Sequence, residues 1–263
     1  MNSRNCRFLT LDVLEAGGVG HSGGSLSVLD ILVALYFRVA RVNPKDPHWV
    51  ARDRIILSKS HACEAMYAVL AERGFFSRDT LKTYLQYGSI LQGHAERSTP
   101  GVEYSGGSLG QGLSFACGLA LAAKVSNREH RVYCILGDAE CHEGQVWEAA
   151  MFASHYGLDN LFAIVDYNHF GDHEDVDKMM NLQPLDSRFR SFGWETRVES
   201  SGNNPNNVAR ALEELGIIKG RPHCLIADTV KNCGVPTWEK AHFHQVTGAE
   251  LNAGLEEGRR LLR

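Results

Sequence analysis

The sequence predicts an α/β protein in which helices cover both faces of a doubly wound, mainly parallel sheet. Three observations lead there. Short apolar, β-rich runs at 132–136, 161–165 and 222–230 alternate with longer segments of helical period. The first two runs are joined by a crossover of helix length, which closes right-handed and sets the strands parallel. Both end on polar residues, Gly137-Asp138 and Asp166-Tyr167-Asn168, at the sheet edge where open α/β folds bind ligands. With 263 residues, 44% of them hydrophobic and 22% charged, the chain can bury a full core and is expected to form one domain over residues 1–263.

The elements follow in order. Residues 4–16 have helical spacing through Phe8, Leu11 and Leu14, and Gly17-Gly18 end the helix. The run GVGHSGGS, 18–25, reads as a glycine-rich turn into a second helix over 26–39; it either lets backbone approach a ligand or connects two helices tightly. Beyond Pro44 and Pro47, a short strand ends near Leu57 and runs into a helix over 62–73, capped by Gly74. A helix and loop over 77–87 come next. The turn GGSLGQG, 106–112, opens a helix rich in Ala and Gly to about Lys124, and its backbone N–H groups form an anion cradle. Between the core strands, 143–156 is helical, with Val146, Trp147, Ala150 and Ala153 on one face and Gly157 as its stop. A loop and helix over 181–192, a strand over 193–198, an Asn-capped helix over 203–215 and the strand over 222–230 complete the sheet. From Gly248 to the end an amphipathic helix packs on the rest.

Composition excludes several classes. Lys and Arg number 27 against 31 Asp and Glu, a net charge of −4, so there is no basic footprint for nucleic acid. No apolar run approaches the roughly 20 residues that cross a bilayer, and the N-terminal MNSRNCRFLT lacks the apolar core of a secretory signal. The seven cysteines contain no C-x-x-C pair, and Cys117, Cys134 and Cys224 lie in apolar runs, which suits reduced thiols in a cytoplasmic protein. The glycine patterns match neither a dinucleotide fingerprint nor a P-loop.

Asp138 and Asn168 converge at adjacent strand ends. A carboxylate and a side-chain amide are hard oxygen ligands, of the kind Mg²⁺ or Ca²⁺ takes while keeping other positions for phosphate oxygens. The same residues also fit a helix cap and a turn start.

The order GDAE, EG, WEA, LDNL and DYN resembles the thiamine diphosphate motif of the transketolase family. The resemblance implies that Asp138, Asn168 and the carbonyl of Phe170 hold Mg²⁺ (or Ca²⁺) on the diphosphate of thiamine diphosphate. Other motifs agree. GHSGGSLS, followed by DIL and LYF, resembles the family's opening motif, in which the histidine, here His21, contacts substrate. DR-x-x-LSKSHA resembles DR-x-x-LSKGHA and implies His61 beside the cofactor, with Lys59 close by. GHAE and PGVE resemble GHP and PG(V/I)E, so that His94 reaches the reacting carbon. Gly107, Ser108 and Leu109 match cofactor contacts, and TVK-x-x-GV puts Lys231 near the cofactor. Lys231 read alone is a solvated strand end, and His61 a helix cap or surface residue. Glu143 matches the family's interface glutamate; as a helix-start carboxylate it equally complements the helix dipole.

There are departures. Ala139 stands in place of the second glycine of GDG, where backbone should approach the diphosphate. Gly171-Asp172-His173-Glu174 replaces Q-I-D-G, Ala95 replaces a proline, and Gly106 replaces a threonine. The family's W-H pair reads His242-Phe243, with His244 one residue on to substitute.

The resemblance implies the diphosphate-binding half of a transketolase. The expected molecule is the N-terminal subunit of a split enzyme moving a two-carbon ketol unit from a ketose to an aldose. A separate C-terminal subunit would carry the pyrimidine-binding domain and its catalytic glutamate, and the two would assemble as a heterotetramer. His21, His61 and His94 suit proton handling near neutrality. The alternatives are an α-keto acid donor, as in deoxyxylulose-phosphate synthase, and a non-catalytic scaffold.

Overall fold

The computed structural model describes residues 2–172 and 174–263; His173, in the altered segment after Asn168, lies outside the described residues. Helix α1 (Asn2–Gly17) buries Leu11, Val13 and Leu14. Strand β1 (Val19–Gly20) leads directly into α2 (Ser22–Ala34), so Gly23 and Gly24 are helical and the expected turn is shorter than the sequence suggests. The reason is space. A Cβ on Gly23 would lie 2.5 Å from the Phe243 carbonyl oxygen, and one on Gly24 would lie 3.2 Å from Lys59 Nζ. The helix runs on as a π turn, Leu35–Val39. This 18-residue stretch, at mean hydropathy 1.4, is long and apolar enough to cross a membrane, which corrects the expectation that no run approaches that length. It is a core helix, with 83% of it buried inside the fold.

Strand β2 (Arg54–Leu57) is followed by α3 (Cys63–Arg73), which Gly74 caps at φ +95°. Residues 78–83 form a 3₁₀ turn instead of a full helix. Then come α4 (Gln111–Val125), β3 (Val132–Gly137), α5 (Gly144–His155) and β4 (Leu161–Tyr167). A short α6 (Val176–Met179), not legible in the sequence, precedes α7 (Leu185–Ser191) and β5 (Glu195–Glu199). Helix α8 (Pro205–Leu215) has Pro205 in its first turn, and the Asn204 side chain accepts from the Asn206 N–H at 3.0 Å. Strand β6 (His223–Asp228), α9 (Pro236–Ala241), β7 (Val246–Thr247) and α10 (Gly248–Leu261) close the chain.

Five strands pair in the order β2-β3-β4-β6-β5, all parallel, and β1 pairs antiparallel with β7. Strand side chains alternate between faces. Ile55, Leu57, Tyr133, Ile135, Phe162, Ile164, Leu225 and Ala227 pack with α2, α3 and α8. Their neighbours Ile56, Cys134, Leu136, Ala163, Val165, Cys224 and Ile226 pack with α4, α5 and α7. The doubly wound layering is therefore a direct result of near-continuous apolar strands buried on both faces. Because all five strands of the larger sheet run the same way, the segments after β2, β3, β4 and β6 meet at one edge.

Helix α10 docks on α1 and α9 through Leu251 and Leu255. A Cβ on Gly254 would fall 1.9 Å from Trp238 Cε2, and the Trp238 indole donates to the Glu250 carbonyl at 2.9 Å. Gly254→Ala is accordingly expected to destabilise the chain by about 1–3 kcal/mol through overpacking, measured by denaturant unfolding, with early loss of amide protection in α10.

Candidate active site

The floor of the site is an ion pair. Lys59, two residues beyond β2, places Nζ 2.7 Å from Asp166 Oδ2 near the end of β4, and both side chains are almost wholly buried. Ser27 donates to the same carboxylate oxygen at 2.6 Å, and Thr229 donates to the other. Asn168 Nδ2 in turn donates to Ser27 Oγ at 3.2 Å. Three chain segments, around Ser27, Lys59 and Thr229, are thus fixed to one carboxylate on β4, and removing either partner of such a pair costs about 3–5 kcal/mol.

Above this floor stand Asp138 and Asn168. Asp138 accepts from the Ala139 N–H at 2.8 Å and from the His169 N–H at 2.7 Å, which ties the ends of β3 and β4 together. Burial pushes its carboxyl up to about 7, with Asp166 adding to the rise and the two amides and Lys59 opposing it. A buried carboxylate held this way is short of positive charge. Among the described residues no three His, Cys, Asp or Glu side chains form a metal site by themselves. A cation here would have one carboxylate, the Asn168 amide oxygen and the Phe170 carbonyl, and would need ligands from outside, as diphosphate oxygens supply. The donor set fits Mg²⁺ on a diphosphate. Ala139 begins a 3₁₀ turn, Ala139–His142, whose backbone any L residue adopts, so its methyl is accommodated without strain.

One amide of the expected anion cradle at the start of α4 is taken by the protein itself. Glu140, 2% exposed, accepts from the Gly110 N–H at 2.8 Å, from the Gly137 N–H at 2.9 Å and from Ser58 Oγ. Burial raises its carboxyl above the usual range while these donors oppose the rise. The glycine turn therefore spends the Gly110 amide on an internal carboxylate. Gly107 and Leu109 line the cavity, whereas Ser108 is exposed and is not among the lining residues.

The cavity itself, about 430 Å³, is lined by His21, His61, His94, His142 and His244 as well as by Asp138 and Asn168. His21 lies 5.3 Å from His61 and 6.2 Å from His94, ring centre to ring centre. The structure adds a fourth ring. His244 stands 5.2 Å from His21 and 5.4 Å from His61, so the residue one position beyond the expected place supplies the imidazole. Burial lowers all three of His21, His61 and His244, the last to about 4, so these rings are neutral at pH 7. Gln245 Nε2 has only hydrogens to offer, so at 2.6 Å His21 Nε2 accepts.

Several supports have no local signal in the sequence. Glu64, fully buried, accepts from the His21 N–H at 2.8 Å, from Tyr84 OH at 2.9 Å and from Ser25 Oγ at 2.7 Å. Tyr67 OH donates to the carbonyls of Gln92 and His94, at 2.8 and 3.1 Å. Ala95 keeps an N–H that proline would lack, and donates it to the Ser60 carbonyl at 3.3 Å. Lys231 donates to the Gly171 carbonyl at 2.7 Å, and burial lowers its ammonium to about 8. Asn232, at φ +60°, accepts from Ser22 Oγ and donates to the Phe243 carbonyl, pinning the 241–245 loop over the site. His142 lines the cavity with a buried Nε2 that has no hydrogen-bond partner among the described residues. Glu143 is exposed on the cavity rim and is the N-cap residue of α5; its side chain makes no cap hydrogen bond, and its place at the helix start suits the dipole alternative.

Two of the departures fit each other. A Cβ on Gly106 would lie 2.7 Å from Tyr104 Cε1, 2.9 Å from Ser60 Oγ and 3.0 Å from Ser60 Cβ, so Tyr104 and Ser60 together fill the space that the glycine leaves. Gly106→Thr alone is expected to destabilise the chain by about 1–3 kcal/mol, and Ser60→Gly in the same chain to restore the part that Ser60 accounts for. A double-mutant cycle on thermal unfolding checks this; additive losses would show the two positions to be independent.

Residues 2–260 match the sequence profile of the family described as transketolase, thiamine diphosphate binding domain. The chain is similar to a 6-deoxy-6-sulfo-D-fructose transketolase subunit of Clostridium sp. (strain MSTE9), at 41% identity covering 87% of this chain and 83% of that one. It is also similar to an apulose-4-phosphate transketolase subunit of Phocaeicola vulgatus, at 38% identity covering 98% and 92%. Among solved structures, a transketolase from Campylobacter jejuni superposes with a TM-score of 0.89 at 31% identity, covering 98% of this chain and 42% of that one. The chain therefore belongs to the transketolase family, as an N-terminal subunit of these thiamine diphosphate-dependent transferases.

Proposed function

We propose that this subunit joins a second chain carrying the pyrimidine-binding half and its catalytic glutamate, and that together they transfer a two-carbon ketol unit from a ketose to an aldose. The observation that carries this reading is the meeting of Asp138 and Asn168 with His21, His61, His94 and His244 around one cavity. Thiamine diphosphate, when bound, supplies the electron sink that carbon–carbon cleavage needs. Asp138, Asn168 and the Phe170 carbonyl would hold Mg²⁺ (or Ca²⁺) on its diphosphate, and Lys231 would add positive charge beside it. The neutral rings of His21, His61 and His244 can each donate at one nitrogen and accept at the other, which lets them hold and exchange protons at sugar oxygens. The sugar-named relatives support a ketose donor over an α-keto acid. A partner chain is supported by relatives of similar length that are named as subunits. A cytoplasmic setting suits the seven free cysteines.

Self-association into a heterotetramer is supported by an exposed stripe on α4, where Phe115, Gly118, Ala122 and Val125 recur at three- and four-residue spacing. A Cβ on Gly118 would meet nothing within 4 Å of its own chain, which leaves room for a second copy to approach closely.

Calorimetric titration of thiamine diphosphate with Mg²⁺ tests the function. Tight binding is expected for the chain mixed with its partner, weakened at least about 100-fold by Asp138→Ala; no heat in the mixture would sink the reading. Sedimentation tests the assembly, with Phe115→Asp expected to halve the mass of the complex; an unchanged mass would remove α4 from the interface.

A further inference from the structure

Behind the imidazole cluster lies a buried carboxylate that no step of the proposed transfer uses. Glu64, on α3, is fully buried. Among the described residues its hydrogen-bond partners are all neutral donors: the His21 N–H and Tyr84 OH on Oε1, and Ser25 Oγ and the Cys63 thiol on Oε2. A carboxyl group met only by donors is held as an acceptor, which is its ionised form. The contact to His21 is made at that residue's own N–H, at 2.8 Å, so covalent geometry alone keeps the carboxylate within about 8 Å of the ring. The chain is pressed close here, since a Cβ on Gly20 would meet both Leu14 and Glu64 Oε1. A charge buried at this range acts on the ring with little screening.

His61 stands in a different field. The position of a Cβ on Gly24 lies 3.2 Å from Lys59 Nζ and 3.4 Å from His61 Nε2, so the ammonium and this ring are side by side. Asp166 offsets part of that ammonium, and the contrast between the two rings is therefore set chiefly by Glu64. Burial lowers both rings; Glu64 opposes the fall at His21, whereas Lys59 deepens it at His61. The other groups that face His21 are His61 after β2, His94 from the loop before α4, Asp172 after β4, and His244 and Gln245 of the 241–245 loop. Asp172 is more than half exposed, where solvent weakens its effect.

The same carboxylate reaches a third histidine through neighbouring side chains. Tyr84, which donates to Glu64, packs 6.0 Å from Tyr67 between ring centres, and Tyr67 OH holds the Gln92 and His94 carbonyls. A ring that is neutral at rest and charged in transit is served by an anion close behind it, because the anion lowers the cost of the charged state. We propose that Glu64 is a positioning residue that selects His21, rather than His61, as the ring that holds a proton during ketol transfer. The proposal rests on the ketose-transferring reading given above.

NMR titration of the imidazole rings in the full chain reads this assignment without any turnover, with His21→Gln and His61→Gln used to identify the signals. In the wild type His21 is expected to take up its proton at higher pH than His61. The opposite order would overturn the proposal, and this comparison depends on no Glu64 variant. Glu64→Gln keeps the shape and removes the charge, and is expected to move the His21 midpoint down. Tyr84→Phe removes one hydrogen bond and keeps the charge, and is expected not to lower that midpoint. A midpoint unmoved by Glu64→Gln, or lowered as far by Tyr84→Phe, would mean a purely structural role and end the proposal. In the complex with the partner chain and thiamine diphosphate, Glu64→Gln is expected to lower kcat about tenfold with KM changed less than about threefold. A kcat within about twofold of the wild type overturns the proposal as well. If the wild-type complex turns over no ketose while the titrations come out as expected, the transferase reading fails and the action of Glu64 on His21 stands.

Discussion

The ion pair between Lys59 and Asp166 is the constraint on which the site depends. It joins β2 to β4 across β3, and its carboxylate also takes hydrogen bonds from Ser27 in α2 and Thr229 after β6. Four strands and helices that carry the functional residues therefore share one electrostatic anchor with no access to water. Such pairs contribute little net stability against an apolar replacement, but once built they tolerate no missing partner. What they contribute is position. Lys59 lies between Ser58, which touches Glu140, and Ser60, which receives Ala95, while His61 follows in the cavity wall. One short segment after β2 thus sets the height of the glycine turn, the His94 loop and an imidazole together.

Close packing around that segment explains three of the glycines better than any flexibility does. Side chains of residues 58 to 61 fill the space where Gly24, Gly106 and Gly112 would otherwise carry a methyl. In each case the backbone of a neighbouring element comes within contact distance of the hub. Gly106 and Ser60, both departures from the family pattern, are among the residues in contact here.

Much of the fold is legible in the sequence because its signals are periodic. The β3-α5-β4 unit can be read from two apolar runs and one helical stripe, and those same runs fix the edge where Asp138 and Asn168 meet. His21, His61 and His94 are legible through local motifs. The remainder depends on contacts that span long stretches of chain. Glu64 and Glu140 look like ordinary helix or turn acids in sequence, and only burial against donors from distant segments reveals their work. His244 is offset by one residue from the expected pair, because the loop that Asn232 pins sets which histidine turns inward. The glycine turn reads as an open cradle, and nothing local in the sequence says that Glu140 reaches it.

That last contact carries a consequence for how the loops of the site are held. An amide nest with nothing to bind is a destabilised element, and chains built that way tend to stay loose until a ligand arrives. Here a resident carboxylate takes the Gly110 amide of that turn and ties it to the Gly137 amide at the end of β3. The loops after β2 and β3 and the turn before α4 are therefore held together by a carboxylate that belongs to the chain itself.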